Sequence, residues 1–260
     1  MLRMPAPLPN ELLEADQALH DLFQRVAFSR YLNPVNVPEA RSAFLAGAES
    51  PPFSYLRADW AKDADEMLSG LSLPLSHPFG VLLAEAVAGT RCLIAALQWR
   101  TEEAFENLMH HHNWRPDSEL LQQASNQVRK NDPSPFLLSA DDLKKALLDA
   151  LSLRGMENWT VELDPVMAAR VLVDSAKQAL RVNSDARFRL RDVNKLVAHE
   201  IDVHAMRGSN GQAQPLLLFS TGLPSSLETE EGLALYAEEC VEAASPGGAW
   251  RQGLVVQAVA

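Results

Sequence analysis

The chain has 260 residues, of which 47% are hydrophobic and 22% charged, and its formal net charge is -11. This composition is typical of a globular protein with a sizeable core, and the acidic balance argues against nucleic acid or an anionic membrane surface as a partner. The two cysteines, Cys92 and Cys240, lie far apart and form no CxxC pair, so we expect a reducing, cytoplasmic location.

The first part of the chain is predicted to be mostly helical. Apolar residues recur there at helical spacing, and the most apolar stretch contains Glu85 and Arg91, which favours a buried helix over a membrane span. Ser139 precedes a run of acidic residues and is a candidate N-cap. Helices are predicted, in chain order, over residues 11–32, in the later part of 33–47 after two prolines, after a turn over 49–60, over 79–112 (one or two helices), over 116–130 and over 140–153.

The pattern changes after Gly155. Residues 159–163 alternate apolar and polar side chains, as a half-buried strand does. Asn183-Ser184-Asp185 contains turn-forming residues within the next apolar stretch. The predicted elements are a strand over 159–163 and a helix from about 165 to 179, followed by residues 180–190 as either one strand or a short hairpin that turns at 183–185, and a helix over 191–208.

The last of these helices contains His199-Glu200-Ile201-Asp202-Val203-His204, which is one residue longer than the HExxH motif of zinc peptidases. Successive residues of a regular helix are about 100° apart, so His199 and His204 would diverge by about 140° and could not share an ion. A π-bulge inserts one residue into a turn and would bring the two rings together. We therefore predict a bulge or a helix end there. An ordinary helix with two unrelated histidines is the alternative.

The residues that follow extend the pattern to H-E-x3-H-x2-R-x2-N-G-x2-Q-P and then T-E-E-G-L-A. This combination resembles a family whose bacterial members carry a QEGLA-motif label and a name about flavohaemoglobin expression, and whose animal members include the microtubule-associated tyrosine carboxypeptidase. The resemblance extends over about residues 20–244. It implies a mostly helical α+β fold of the zincin-like kind, with a small antiparallel sheet beside the metal helix.

The resemblance also implies roles for individual residues. His199, His204 and Glu231 match the ligands of a zinc ion, and Glu200 matches the catalytic glutamate. Position 230 is Glu where many bacterial members have Gln, so Glu230 is a rival of Glu231 for the third ligand position. Zinc would activate a water molecule, and Glu200 would accept its proton.

The implied function is that of a zinc-dependent carboxypeptidase that removes a C-terminal residue from a peptide or protein. Such an enzyme needs a cation for the terminal carboxylate of its substrate. Arg207 and Arg187 are candidates by their proximity in sequence only, and each has a solvated surface arginine as its alternative. Asn210 lies in the same matched segment and is a further candidate for substrate contact.

The end of the chain, SPGGAWRQGLVVQAVA, contains proline, three glycines and no continuing helical period. The family domain usually continues well beyond the EEGLA helix, so we expect a truncated copy with a poorly packed end. The predicted organisation is a helical region over 1–155, an incomplete metal-site region over 156–244 and an irregular tail over 245–260. A second hypothesis follows, namely a catalytically inactive member that still binds metal.

Overall fold

The computed structural model describes residues 8–130, 132–243, 245 and 247–259. Within them the protein is mostly helical, with one three-stranded sheet. The helices before the sheet are α1 (Asn10–Arg25), α2 (Phe28–Leu32), α3 (Val37–Leu45), α4 (Ala61–Ser69), α5 (Pro78–Trp99), α6 (Glu102–His112), α7 (Ser118–Ser125) and α8 (Ala140–Ser152). The strands are β1 (Thr160–Asp164), β2 (Val171–Asp174) and β3 (Ala179–Asn183). The later elements are α9 (Leu190–Leu196), a π-helical segment (Val197–Ala205), α10 (Met206–Gln212), α11 (Leu218–Thr221), α12 (Leu227–Cys240) and α13 (Gly248–Ala258).

The helical first part of the chain is confirmed. The apolar stretch over 79–112 forms two helices because Arg100 has a left-handed backbone with φ of 50°, which ends α5. By length and composition α5 could cross a membrane, but its buried residues pack into a core with α1 and α4. Ser139 caps α8 as predicted, and its side chain and that of Asp142 form a capping box.

The sheet differs from the prediction in two respects. Residues 171–174 form β2 instead of part of a helix. Val171 and Val173 lie on the same face of this strand, and they pair with Val182 and Leu180 of β3. The hairpin therefore turns over residues 175–178 and not around 183–185. The sheet has the order β1-β3-β2, and β1 pairs with β3 in parallel, so it is mixed and not purely antiparallel.

Two large apolar cores position the later elements. One contains residues of α1, α4 and α5 together with Leu216 and Leu218, and the Asp16 carboxylate accepts backbone N–H bonds from Leu217 at 2.6 Å and from Leu218 at 2.8 Å. The other contains residues of α8, the sheet and the π-helical segment. The cores do not divide at residue 155, because α8 packs with the sheet that follows it.

The predicted irregular tail is wrong, since residues 248–258 form α13. This helix packs against α7, where a Cβ atom added at Gly253 would lie 2.8 Å from the carbonyl oxygen of Ala124. The guanidinium of Arg129 lies 5.4 Å from the ring centre of Trp250 on the same interface. Gly247 and Gly248 lie at the start of this helix, and Gly253 lies at its close contact with α7, so the three glycines are compatible with a helix.

Candidate metal centre and active site

The two histidines lie on the π-helical segment, and this confirms the predicted distortion. Regular turns precede it in α9 and follow it in α10, so the extra residue is absorbed over Val197–Ala205 alone. The ring centres of His199 and His204 are consequently 5.0 Å apart. One candidate ligand atom from each of His199, Glu200 and His204 lies within 4.8 Å of the others.

Two contacts fix the π-helical segment against its neighbours. Arg154, just after α8, makes a two-point ion pair with Asp202, with its terminal nitrogen 2.9 Å from Oδ2. The indole Nε1 of Trp159 donates a hydrogen bond of 2.9 Å to Oγ of Ser209 on α10. The helix that carries the two histidines is therefore held within its distorted turns, at Asp202, and just after them, at Ser209.

Glu231 faces both imidazoles from α12, which packs against the π-helical segment. Its carboxylate oxygens lie 3.6 Å from Nε2 of His199 and 3.5 Å from Nε2 of His204. Zinc bonds of about 2.0–2.1 Å that meet at a tetrahedral angle place their donor atoms about 3.3–3.4 Å apart. The two contacts are made by different oxygens of Glu231, and each separation is close to this spacing, so the residue types and these two distances are compatible with a zinc ion.

The opposite ring nitrogens each contact a different carboxylate. Nδ1 of His199 lies 2.8 Å from Glu238, and Nδ1 of His204 lies 2.7 Å from Glu230. Histidines that bind metal commonly donate their other N–H to a carboxylate, which fixes the tautomer and the ring orientation. Of the two rival glutamates, Glu231 therefore lies at the Nε2 atoms of both histidines, whereas Glu230 lies at Nδ1 of His204.

Sequence reasoning missed Glu238, although a signal for it exists. Glu238 follows Glu231 by seven residues, which places the two about 20° apart around a regular helix. The side chain of Glu238 is 4% exposed, and its second oxygen lies 3.3 Å from Nζ of Lys195 on α9. A buried carboxylate between a lysine and a candidate ligand is held in one orientation.

The carboxylates favour positive charge at this site. Burial opposes a charge on His199, but hydrogen bonds to Glu231 and Glu238 outweigh burial and raise the pKa of His199 to about 9. The hydrogen bond with His199 holds the pKa of Glu231 below its usual range. Burial raises the pKa of Glu200. A cation bound between the two imidazoles would be stabilised by the same carboxylates.

Arg207 was predicted to contact substrate, but all three of its guanidinium nitrogens have partners within the protein. Nε lies 3.1 Å from both oxygens of Glu230, one terminal nitrogen donates to the carbonyls of Phe219 and Ser220, and the other lies 3.3 Å from Oγ of Ser175. This arrangement favours a positioning role, in which Arg207 fixes Glu230 and through it His204.

Two cavities lie beside the site. One of about 470 Å³ is lined by Glu200 and by several basic side chains. The second cavity, of about 400 Å³, is largely apolar and is lined by Val203, Leu233, Arg207 and the predicted substrate residue Asn210.

Arg187, the second arginine predicted to bind the substrate carboxylate, is exposed, and its carbonyl oxygen accepts a hydrogen bond of 2.5 Å from Arg170.

A family model described as microtubule-associated tyrosine carboxypeptidase matches residues 117–251, slightly more than half of the chain. The chain belongs to this family. The match begins just before α7 and ends within α13, so it includes every residue of the candidate site. No curated protein and no solved structure matches the chain. Membership of the tyrosine carboxypeptidase family assigns the chain to a carboxypeptidase type.

Replacing Glu238 with Gln is expected to weaken zinc binding by about 10- to 100-fold, because the charged acceptor for Nδ1 of His199 would be lost. Competition with a chromophoric chelator would measure the affinity. The matched control is Glu239→Gln, since Glu239 is the exposed neighbour on the same helix and should keep wild-type affinity. Equal affinities in the two variants would contradict the role given to Glu238.

Proposed function

We propose that the protein is a zinc-dependent carboxypeptidase with a zincin-like arrangement of its site. The observation that carries the proposal is the single carboxylate of Glu231 facing the Nε2 atoms of both histidines. His199, His204 and Glu231 would hold the ion. Zinc, when bound, supplies a Lewis acid that activates water and polarises the scissile carbonyl.

Glu200 is the proposed general base and acid. It belongs to the same cluster as the two histidines and lines the larger of the two cavities beside the site. From this position its carboxylate would accept a proton from the attacking water and donate it to the departing amine. The water oxygen would thus become part of the new carboxylate, and the departing amino acid would leave with the proton from Glu200.

The proposed substrate is the C-terminus of a peptide or protein. The description of the matched family names tyrosine, so a C-terminal tyrosine is the first residue to test. The cavity of about 400 Å³ beside Glu230 is mainly apolar, which suits an apolar part of the peptide. The proposed location is the reducing cytoplasm, and the proposal rests on the separation of the two cysteines in the sequence.

The proposal is tested by incubating the zinc-loaded chain with a peptide that ends in tyrosine and measuring the released amino acid. We expect one zinc per chain and release of free tyrosine, with activity falling by about 100-fold or more after chelation and returning with zinc. Bound zinc without release would support the inactive metal-binding alternative. A chain that takes up no zinc would overturn the metal site itself.

A further inference from the structure

The cavity of about 470 Å³ beside Glu200 concentrates positive charge in an acidic protein. Its lining contains two acidic side chains, Asp192 and Glu200, and more basic ones. The basic residues that line it are Arg170, Arg189, Lys195 and Arg251. The whole chain has a net charge of -11, so this excess of basic groups beside the proposed proton-transfer residue indicates an anionic ligand.

Three of the four basic groups pair with carboxylates inside the protein, and two of them do not share that carboxylate with another arginine or lysine. Arg170 donates to Asp192 at 2.8 Å, and Lys195 lies 3.3 Å from Glu238. Both charges therefore maintain the structure around the metal helix. Their fixed partners make them poor candidates for binding the carboxylate of a substrate.

Arg189 is partly paired. Its Nε donates to the carbonyl oxygen of Ser134 at 2.7 Å and lies 3.2 Å from Asp132, and that carboxylate also pairs with Arg191. Its guanidinium carbon lies 3.8 Å above the ring of Phe136, which also lines the cavity. Arg189 is thus a fixed cation whose charge is only partly neutralised.

Arg251 differs from the other three because its partner is neutral. One terminal nitrogen donates to the hydroxyl of Ser245 at 2.8 Å, and within the described residues it makes no ion pair with a carboxylate. It is exposed and lies on α13, which the contact at Gly253 fixes against α7. An arginine of this kind can present two N–H groups to one carboxylate.

We propose that Arg251, supported by Arg189, binds the C-terminal carboxylate of the substrate in the cavity beside Glu200. The assignment rests on the proposed carboxypeptidase function and names the part of the substrate that distinguishes a carboxypeptidase from other peptidases. It replaces Arg207 and Arg187 as the cations for this group. It also gives α13, predicted to be an irregular tail, a direct part in substrate binding.

The test compares two fluorescein-labelled peptides that end in tyrosine and differ only in a free or an amidated C-terminus. Binding is measured by fluorescence anisotropy to the zinc-loaded Glu200→Gln chain, which prevents turnover. We expect the free acid to bind about tenfold more tightly than the amide, because a charge-assisted hydrogen bond is lost on amidation. Adding Arg251→Gln should abolish the preference, and Arg251→Lys should retain part of it.

Arg57→Gln is the matched control, since Arg57 is an exposed arginine that does not line this cavity and should leave the preference intact. Circular dichroism would verify that α13 and the remaining helices are retained in each variant. Equal binding of the two peptides to the parent chain, no binding of the free acid, or an unchanged preference in Arg251→Gln would each overturn the assignment. Peptidase inactivity of the unsubstituted chain with the preference intact would instead count against the proposed catalysis alone.

Discussion

Replacing Glu200 with Gln is expected to reduce the release of C-terminal tyrosine by about 100- to 10,000-fold while zinc remains bound. The amide has nearly the same shape as the carboxylate but accepts no proton from water. Because Glu200 is not one of the three proposed ligands, the donor set of His199, His204 and Glu231 is unchanged. The measurement combines turnover of a tyrosine-ending peptide with the zinc content of the same preparation.

A matched control for this prediction is Glu228→Gln, which removes an exposed carboxylate from the first turn of α12. This variant should keep both zinc and activity. If Glu200→Gln retained more than about a tenth of wild-type turnover, proton transfer by Glu200 would be contradicted, because general acid–base catalysis contributes at least about 100-fold.

Replacing Glu231 with Ala is expected to remove stoichiometric zinc. The remaining donors would be two imidazoles, and a zinc site in proteins ordinarily has at least three protein ligands. Elemental analysis after dialysis would measure the metal and would also distinguish zinc from iron, which is likewise bound by two histidines and a carboxylate. Peptidase activity should disappear with the metal.

Glu230→Ala provides the contrast for Glu231→Ala. It removes the acceptor for Nδ1 of His204 and leaves Arg207 without its carboxylate partner, so zinc affinity should fall by about 10- to 100-fold and not vanish. The reverse pattern, with zinc retained in Glu231→Ala and lost in Glu230→Ala, would exchange the roles of the two neighbouring glutamates.

Local sequence determined those features whose cause lies within a few consecutive residues. The capped helix α8 follows from Ser139 and Asp142, and the π-helical segment follows from five-residue spacing if two histidines are to meet at one ion. The candidate third ligand is a different case. Glu231 was named from family resemblance, and its carboxylate lies beside both imidazoles because α12 packs against the π-helical segment.

Tertiary packing decided the elements that have weak or contrary local signals. Residues 171–174 became a strand because β3 offers paired backbone groups and a buried face, and neither is visible within that segment alone. Residues 248–258 became a helix because α7 offers a surface on which Gly253 allows close approach. In both cases a partner distant in sequence provides the free energy that overrides local preference.

The sequence by itself, with the family resemblance it carries, determined which residue types form the candidate metal site: two histidines, a neighbouring glutamate, and a carboxylate pair on a later helix. Only the tertiary structure decided how these groups are oriented. Glu230 contacts Nδ1 of His204, and Glu238 contacts Nδ1 of His199. Arg207 is held by Glu230 and by backbone carbonyls. Arg251 lines the cavity beside Glu200. Residue type and spacing set what a side chain can bind, but the direction in which it points depends on how separate helices pack.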